Sequence, residues 1–299
     1  MMKTALFTAS FNRPDLFVEV LQGLELNIDD LENIDVFHYI DGGPNAKQKE
    51  IVAHIEQSKL PCAEVIMREE NYGVGRNLIG ARRDLFDNKG YERVILVEED
   101  LIPGPNFVKT NIQLAQWAEQ FDDVGMVQAW NLPPSEMTEK HLEFVEPSHT
   151  HFVTYCIDAN VWNEIKGTLY EYEEKYLTGV SYQKKKWRAI RKKFMKPRYA
   201  TQRRIRQGKL LLPDGYEHPP PFGPKLKRTV PTGQDAITSL ALWEKGFIRI
   251  VTLAPRALLK GEEGVHCNPE VFESLGLNNQ GQYIWEQPVP VEFVLATKR

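Results

Sequence analysis

The first 100 residues alternate between two hydrophobic patterns. Short apolar runs typical of strands occur at 3–9, 34–43, 62–69 and 91–100. Segments with apolar residues at helical spacing separate them, at 13–26, 45–57 and 74–87. Strands joined by helices of this length predict a mainly parallel sheet covered by helices on both faces. We therefore expect a single α/β domain of the Rossmann-like type.

The composition is that of an ordinary globular protein. The 299 residues are 42% hydrophobic and 26% charged, and no apolar run approaches the roughly 20 residues of a membrane span. The apolar part of the N-terminal stretch is too short for a signal peptide. Three scattered cysteines predict neither a disulfide framework nor a metal site. We therefore expect a cytoplasmic protein.

The second half of the chain is less regular. It contains strand-like and helix-like runs, including a short helix predicted at 158–167, and six prolines lie between Pro213 and Pro231. No phosphate loop or dinucleotide fingerprint is present. We expect a first half at 1–105, a second half at 106–299, and a basic insertion in the second half at about 170–232.

Carboxylates follow two of the predicted strands. The stretch VILVEEDLIPGPNF delivers Glu98, Glu99 and Asp100 directly after a buried run, and Asp41 follows the strand IDVFHYI. The carboxyl ends of parallel strands are where ligands bind in such sheets. Adjacent carboxylates repel one another unless a cation joins them, and their oxygens suit Mg²⁺ or Mn²⁺. For Asp41 in IDGGPN, a plain turn role is the alternative.

These motifs resemble those of a known family. VILVEEDLIPGPNF resembles the acidic metal-binding motif of GT-A type nucleotide-sugar glycosyltransferases, and its form is closest to that of the N-acetylglucosaminyltransferase I family. GMVQAWN at 125–131 is similar to a strand of that family. TASFNRP, IDGG and NYGVGRN are similar to the wider family's nucleotide-binding half. The resemblance extends over roughly residues 4–165, and it implies a GT-A fold with 1–105 as the nucleotide-sugar half and 106–299 as the acceptor half.

The resemblance implies roles for the residues of the first half. Asp41 would contact the nucleotide base, and Arg76 would steady the nucleotide or shape its loop. Asp100 would be the direct ligand of Mn²⁺ or Mg²⁺. Glu98 and Glu99 would contact the sugar and ribose, or the metal through water. For Arg76, a surface ion pair with an acid is the alternative.

The second half supplies further candidates. Trp130 and Asn131 would line the sugar or acceptor side, although a core role is as plausible for Trp130. Asp235 would be the catalytic base, with a helix cap or a first-turn acid favoured by the helix dipole as the alternative. His266 would lie near the metal and diphosphate, with a structural role as the alternative.

The function implied is sugar transfer. The chain would move a sugar from a nucleoside diphosphate sugar, with UDP-N-acetylglucosamine the first guess, to a glycan or lipid-linked glycan in polysaccharide biosynthesis. Asp235 would take the acceptor proton, so that a single displacement inverts the anomeric carbon. A sugar-nucleotide nucleotidyltransferase remains a rival function.

An acidic body carries one basic segment. Residues 183–209 hold 13 Lys and Arg and no acid, whereas the remainder balances 24 basic against 41 acidic residues. Trp187, Ile190 and Phe194 recur within it at helical spacing. The segment could lie on an anionic membrane surface, gather an anionic acceptor, or be a solvated insertion. A nucleic-acid-binding role is a further rival, but we expect no nucleic-acid partner because the body is acidic.

Overall fold

The computed structural model describes residues 2–132, 138–148, 153–180, 184–195, 233–261, 269–282, 286–290 and 292–296. The strands in these ranges are β1 (Thr4–Ser10), β2 (Ile34–Ile40), β3 (Glu64–Met67), β4 (Arg93–Glu98), β5 (Leu101–Pro103), β6 (Val124–Gln128), β7 (Phe144–Ser148), β8 (Thr154–Asp158), β9 (Ile248–Thr252), β10 (Ala257–Leu259) and β11 (Val294–Leu295). The helices are α1 (Pro14–Glu25), α2 (Gln48–Gln57), α3 (Gly73–Arg83), α4 (Phe107–Ala118), α5 (Ala159–Tyr176), α6 (Trp187–Ile190), α7 (Gln234–Glu244) and α8 (Pro269–Ser274).

One sheet runs through the whole domain. Its strand order is β11-β7-β9-β6-β8-β4-β1-β2-β3, with β5 and β10 forming a separate antiparallel pair. Five of the eight neighbouring pairs are parallel, including β4-β1, β1-β2 and β2-β3. The predicted α/β fold, with a mainly parallel sheet flanked by helices, is confirmed.

Two apolar cores lie on the two faces of the sheet. Phe17 and Leu24 of α1 pack on one face with Phe107 of α4. Helices α3, α5 and α7 cover the other face, where Trp162 and Tyr172 are fully buried. The sheet therefore has helices on both faces, as parallel strands require.

Helix α5 is longer than the short helix predicted near residues 158–167. It spans 18 residues, because the apolar face begun by Val161 and Ile165 continues through Leu169 and Tyr172. Burying one such side chain stabilises the fold by about 1.5–3 kcal/mol. No helix in the described ranges is both long enough and apolar enough to span a membrane.

Candidate active site

The ends of three parallel strands place the candidate residues at one edge of the sheet. Strand β1 lies between β2 and β4, and Ala9 pairs with Glu98. The segments after these strands begin with Phe11, Asp41 and Glu99. The prediction that Asp41 and the Glu98–Asp100 acids share an edge is confirmed by this register.

Arg13 is the cation that joins the acidic cluster. Its Nε atom lies 2.8 Å from Glu99 Oε1, and its Nη2 atom lies 3.0 Å from Asp100 Oδ2. The backbone N–H of Phe11 donates to Glu99 Oε2 at 2.7 Å. Both oxygens of Glu99 are therefore occupied, and the residue fixes the segment after β1. Arg13 was not assigned a role from the sequence, although it lies in the TASFNRP motif.

Glu98 is the acid without a cationic partner in direct contact in the described structure. Burial raises the pKa of Glu98 well above its usual range, and the charges of Asp235, Asp100 and Glu99 raise it further, while Arg13 lowers it. Asp235 is the largest of these charge effects. The charge of Asp235, on α7, therefore acts on the last residue of β4.

Asp235 lies in the first turn of helix α7, which starts at Gln234. Its side chain is exposed, yet protein surrounds it on most sides, and burial raises its pKa to about 6. The positive charges of Arg82 and Arg249 oppose that shift. Gln234 Nε2 donates to Asp235 Oδ1, and Arg82 Nη2 donates to Gln234 Oε1 at 2.8 Å. A buried arginine thus orients Asp235 through a glutamine.

Of the two structural alternatives for Asp235, the N-cap is not observed, whereas the first-turn position is. The N-cap position of α7 is Gly233, and no side chain caps it. The Asp235 carboxylate lies in the first turn, where the helix dipole favours negative charge. A role of Asp235 as catalytic base stays a prediction.

Asp41 anchors helix α3 from a neighbouring strand. Its Oδ1 accepts hydrogen bonds from the backbone N–H of Gly42 and Tyr72, and its Oδ2 accepts one from Gly73. Gly73 has a φ of 69°, a left-handed conformation that glycine adopts without strain. Burial raises the pKa of Asp41, and these hydrogen bonds oppose the shift. The predicted base contact would have to use the remaining acceptor capacity.

Arg76 shapes the loop before α3. Its guanidinium lies 3.6 Å from the ring centre of Tyr72, and its Nη1 pairs with Glu70 at 2.8 Å. Arg68 lies 5.2 Å from the same ring. The observed contacts match the loop-shaping and ion-pair interpretations of Arg76, and contact with a nucleotide stays a prediction.

Trp130 and Asn131 have separate surroundings. Trp130 is 1% exposed and belongs to the apolar core, so its ring has no free face for a sugar. Its predicted sugar contact is replaced by the core role. Asn131 is partly exposed and donates to Glu146 Oε1 at 2.8 Å. A sugar contact by Asn131 stays a prediction.

His266 lies outside the described residues. Gly261, five positions earlier, lies beside Asp100: a Cβ atom there would be 3.5 Å from Asp100 Oδ2. Lys260 N donates to Asp100 O at 2.7 Å, as an extension of the β5-β10 pairing. Gly261, the last described residue before His266, therefore lies at the edge of the acidic cluster.

The carboxylate oxygens of the acidic cluster are suitable ligands for a hard divalent cation. No group of three or more His, Cys, Asp or Glu has metal-binding geometry in the part of the chain described here. Mg²⁺ and Mn²⁺, however, are often held by one or two carboxylates together with substrate phosphates. Burial is the main cause of the raised pKa of Glu98, and the negative charges of Asp235, Asp100 and Glu99 add to it against the effect of Arg13. A cation bound there would oppose these negative charges.

A second concavity lies at the opposite edge of the sheet. This cavity of about 800 Å³ is lined by Glu92, Glu119 and Asp158, among others. Arg93 pairs with Asp158 at 2.7 Å and with Glu119 at 2.9 Å. The strands begin at this edge, whereas ligands of such sheets bind where parallel strands end. We therefore place the candidate site with Asp100 and Asp235.

No protein-family model and no curated protein matches the chain. Solved structures that partly resemble the chain include three that contain a nucleotide or a nucleotide sugar. Mannosyltransferase PcManGT from Pyrobaculum calidifontis, in complex with GDP-Man and Mn²⁺, is 13% identical over 61% of this chain and 49% of its own, with a TM-score of 0.41. Glucosyl-3-phosphoglycerate synthase from Mycobacterium tuberculosis, with Mn²⁺ and UDP, is 13% identical over 58% and 66%, with a TM-score of 0.37.

S. aureus TarS 1-349, in complex with UDP-GlcNAc, is 17% identical over 55% of this chain and 48% of its own, with a TM-score of 0.40. This chain thus spans about half to two thirds of the length of these three proteins. Likeness at this level concerns the fold and does not transfer a donor, an acceptor or a residue role.

Proposed function

We propose that this protein is a metal-dependent glycosyltransferase that moves a sugar from a nucleoside diphosphate sugar to a glycan or lipid-linked glycan. The observation that carries this proposal is the register of β1, β2 and β4, which brings Asp41 and the acids Glu98, Glu99 and Asp100 to one edge of the sheet. The charge of Asp235, in the second half, contributes to the raised pKa of Glu98 at the same edge. Sugar transfer can use a carboxylate that binds a cation together with a second carboxylate that accepts a proton.

Asp100 is the proposed direct ligand of Mn²⁺ or Mg²⁺. Its Oδ2 accepts from Arg13, and no hydrogen bond to its Oδ1 is present among the described residues. Glu98 would assist directly or through water, and the five positions from Gly261 to His266 give a reach of up to about 17 Å. When bound, the cation would neutralise charge on the departing nucleoside diphosphate.

Asp235 is the proposed general base. With a pKa of about 6, most of this carboxylate is ionised at pH 7, and it can accept the proton of an acceptor hydroxyl. Direct attack by the acceptor oxygen would invert the anomeric carbon.

The donor is proposed as a UDP-sugar, with UDP-N-acetylglucosamine tested first. This choice rests on the resemblance of the EED and AWN motifs, and the membership of a particular transferase family stays a prediction. Asp41 and Arg76 lie at the end of β2 and the start of α3, where a nucleotide would be held. The proposed nucleotide position is therefore beside, and not within, the acidic cluster.

The test is thermal unfolding with a panel of nucleotide sugars, with and without Mn²⁺. A ligand at 100 times its Kd stabilises the folded state by about 2.7 kcal/mol. We expect UDP-sugars to raise Tm only when Mn²⁺ is present, and Asp100→Asn to abolish that rise. Asp122→Asn, at an exposed acid of the opposite edge, is the matched control. If no nucleotide sugar changes the Tm of the wild-type protein, with or without Mn²⁺, the proposal is wrong.

A further inference from the structure

Residues 184–195, which we call the basic strap, are fixed to the body of the protein. The strap consists of α6 and a π-helical turn at Arg191–Met195. Ile190 and Phe194 are 0% exposed. The ring centre of Phe194 lies 5.8 Å from that of Tyr172 and 5.7 Å from that of Tyr176, both in α5. The predicted amphipathic helix therefore exists, but its apolar side faces the core of its own domain.

The charged side of the strap faces solvent. The strap holds seven Lys and Arg and no acid. Its exposed cations are Lys184, Lys186, Arg188, Lys192 and Lys193. Lys193 pairs with Glu171 at 3.0 Å, whereas the other four have no ion pair with any residue that the structure describes. They form a surface of uncompensated positive charge.

Acids near the strap already have partners. Glu171 accepts from Lys175 as well as from Lys193, and Glu173 pairs with Arg83. Lys193 is thus the one exposed cation of the strap that is paired with α5 among the described residues. A ligand that binds the strap would therefore have to supply negative charge of its own.

The strap lies at the same end of α5 as the candidate site. Tyr176, against which Phe194 packs, is followed by Leu177, whose side chain is close to Gly75. A Cβ atom at Gly75 would be 3.1 Å from Leu177 and 3.5 Å from Gln234, the neighbour of Asp235. Packing from Phe194 through Tyr176, Leu177 and Gly75 thus connects the strap with the first turn of α7, which carries Asp235.

From these contacts we infer that the basic strap binds a polyanionic acceptor glycan, one that carries phosphate or carboxylate groups along its chain. The inference rests on the proposed function, and it names the substrate class of the same site. Ile190 and Phe194 are buried in their own domain, so neither side chain is available to insert into a lipid surface. The membrane interpretation is therefore less well supported by the structure than binding of a soluble polyanion.

The test compares two variants of the full-length protein that lose the same charge. The first combines Lys184→Gln, Lys186→Gln, Arg188→Gln and Lys192→Gln. The control combines the same change at four exposed lysines elsewhere: Lys3, Lys59, Lys109 and Lys140. Binding of inorganic polyphosphate and of polygalacturonate is measured without donor, over a range of salt concentrations. Thermal unfolding with Mn²⁺ and a UDP-sugar is measured on the same samples.

We expect the strap variant to bind both polyanions at least about tenfold more weakly, with a smaller salt dependence, because fewer counterions are released. The control variant should bind like wild type. Equal binding by all three proteins, or equal loss in both variants, would overturn the inference. Binding to phosphatidylglycerol vesicles that depends on the strap, without binding to either polymer, would assign it to a membrane instead. The donor response separates failure of this inference from failure of the proposed function.

Discussion

The Nη2 atom of Arg13 donates to Asp100 Oδ2 at 3.0 Å. The same guanidinium holds Glu99, so one side chain from the start of α1 fixes two of the three acids after β4. The charges of both acids raise the pKa of Arg13 against the effect of burial. Arg13 therefore already supplies part of the positive charge that a bound cation would supply to these acids.

Replacing Arg13 should destabilise the protein and strengthen cation binding. Arg13→Gln removes two charge-assisted hydrogen bonds, each of which is typically worth about 1.5–3 kcal/mol. The more negative cluster should then bind Mn²⁺ alone several-fold more tightly, and added Mn²⁺ should restore part of the lost Tm. Calorimetric titration and thermal unfolding measure the two effects. Unchanged Mn²⁺ affinity would show that Arg13 and the metal do not share Asp100.

Asp41→Asn should loosen the start of α3. An asparagine offers one acceptor oxygen where Asp41 supplies two, so one of the backbone N–H groups of Tyr72 and Gly73 loses its partner. An unsatisfied buried donor costs about 1–3 kcal/mol in the free energy of unfolding, which urea denaturation measures. Asp29→Asn, at an exposed acid, is the control and should change stability by less than about 0.5 kcal/mol. Equal stability of both variants would contradict the anchoring role.

Asp235→Asn should fold normally, bind Mn²⁺ and UDP normally, and transfer sugar at least about a hundredfold more slowly. The wild-type rate should fall as pH is lowered through about 6, because protonation of the raised-pKa carboxyl removes the base. The free energy of unfolding should not decrease over the same pH range, because a carboxyl with a raised pKa in the folded state favours that state when it is neutral. Steady-state kinetics over pH 4.5–8 is the measurement. Near-wild-type transfer by the variant would remove Asp235 from the mechanism.

Gln234→Glu should move that pH dependence without abolishing activity. The change replaces the amide that donates to Asp235 with a carboxylate, and the new charge neutralises part of Arg82. The lost amide donor, the repulsion between the new carboxylate and Asp235, and the weakened effect of Arg82 each disfavour the ionised form of Asp235, so the acid limb should shift to higher pH. Gln120→Glu, on an exposed part of α4's C-terminal side, should leave the profile unchanged. An unshifted limb in Gln234→Glu would limit Gln234 to a purely structural role.

Phe194→Ala distinguishes an anchored strap from a solvated insertion. Truncating a fully buried Phe typically costs about 3–5 kcal/mol, whereas a side chain on a solvated insertion would cost almost nothing. Leu26→Ala is the control, because Leu26 is 63% exposed. Urea denaturation of both variants gives the comparison. A loss no larger than that of Leu26→Ala would mean that the strap is not held on α5.

The parts of the fold that depend on local pattern were predictable from the sequence. Alternating strands and helices indicated a parallel sheet, and that sheet placed Asp41 and Asp100 at one edge. The insertion of β8 between β4 and β6, antiparallel to both, was not predictable, because strand pairing is a tertiary choice. The length of α5 was underestimated for the same reason.

The site was predictable where charge alone determined it. Three adjacent acids required a cation, and Arg13, directly after β1, was the available signal that remained unassigned. Trp130 could not be placed from the sequence, since a tryptophan after a strand suits both a core and a sugar site. The apolar face of the basic segment was likewise visible, but its partner on α5 depended on how the chain folds back.

The pairing of β4 with β8 has a mechanical consequence. Arg93 to Val97 pair with Asp158 to Thr154 across the proposed boundary between the two halves. Opening the halves like a hinge would break a ladder of backbone hydrogen bonds in the middle of the sheet. If the proposed function is right, entry of a donor and exclusion of water would depend on movements of segments at the edge of the sheet, and not on a movement of one half against the other.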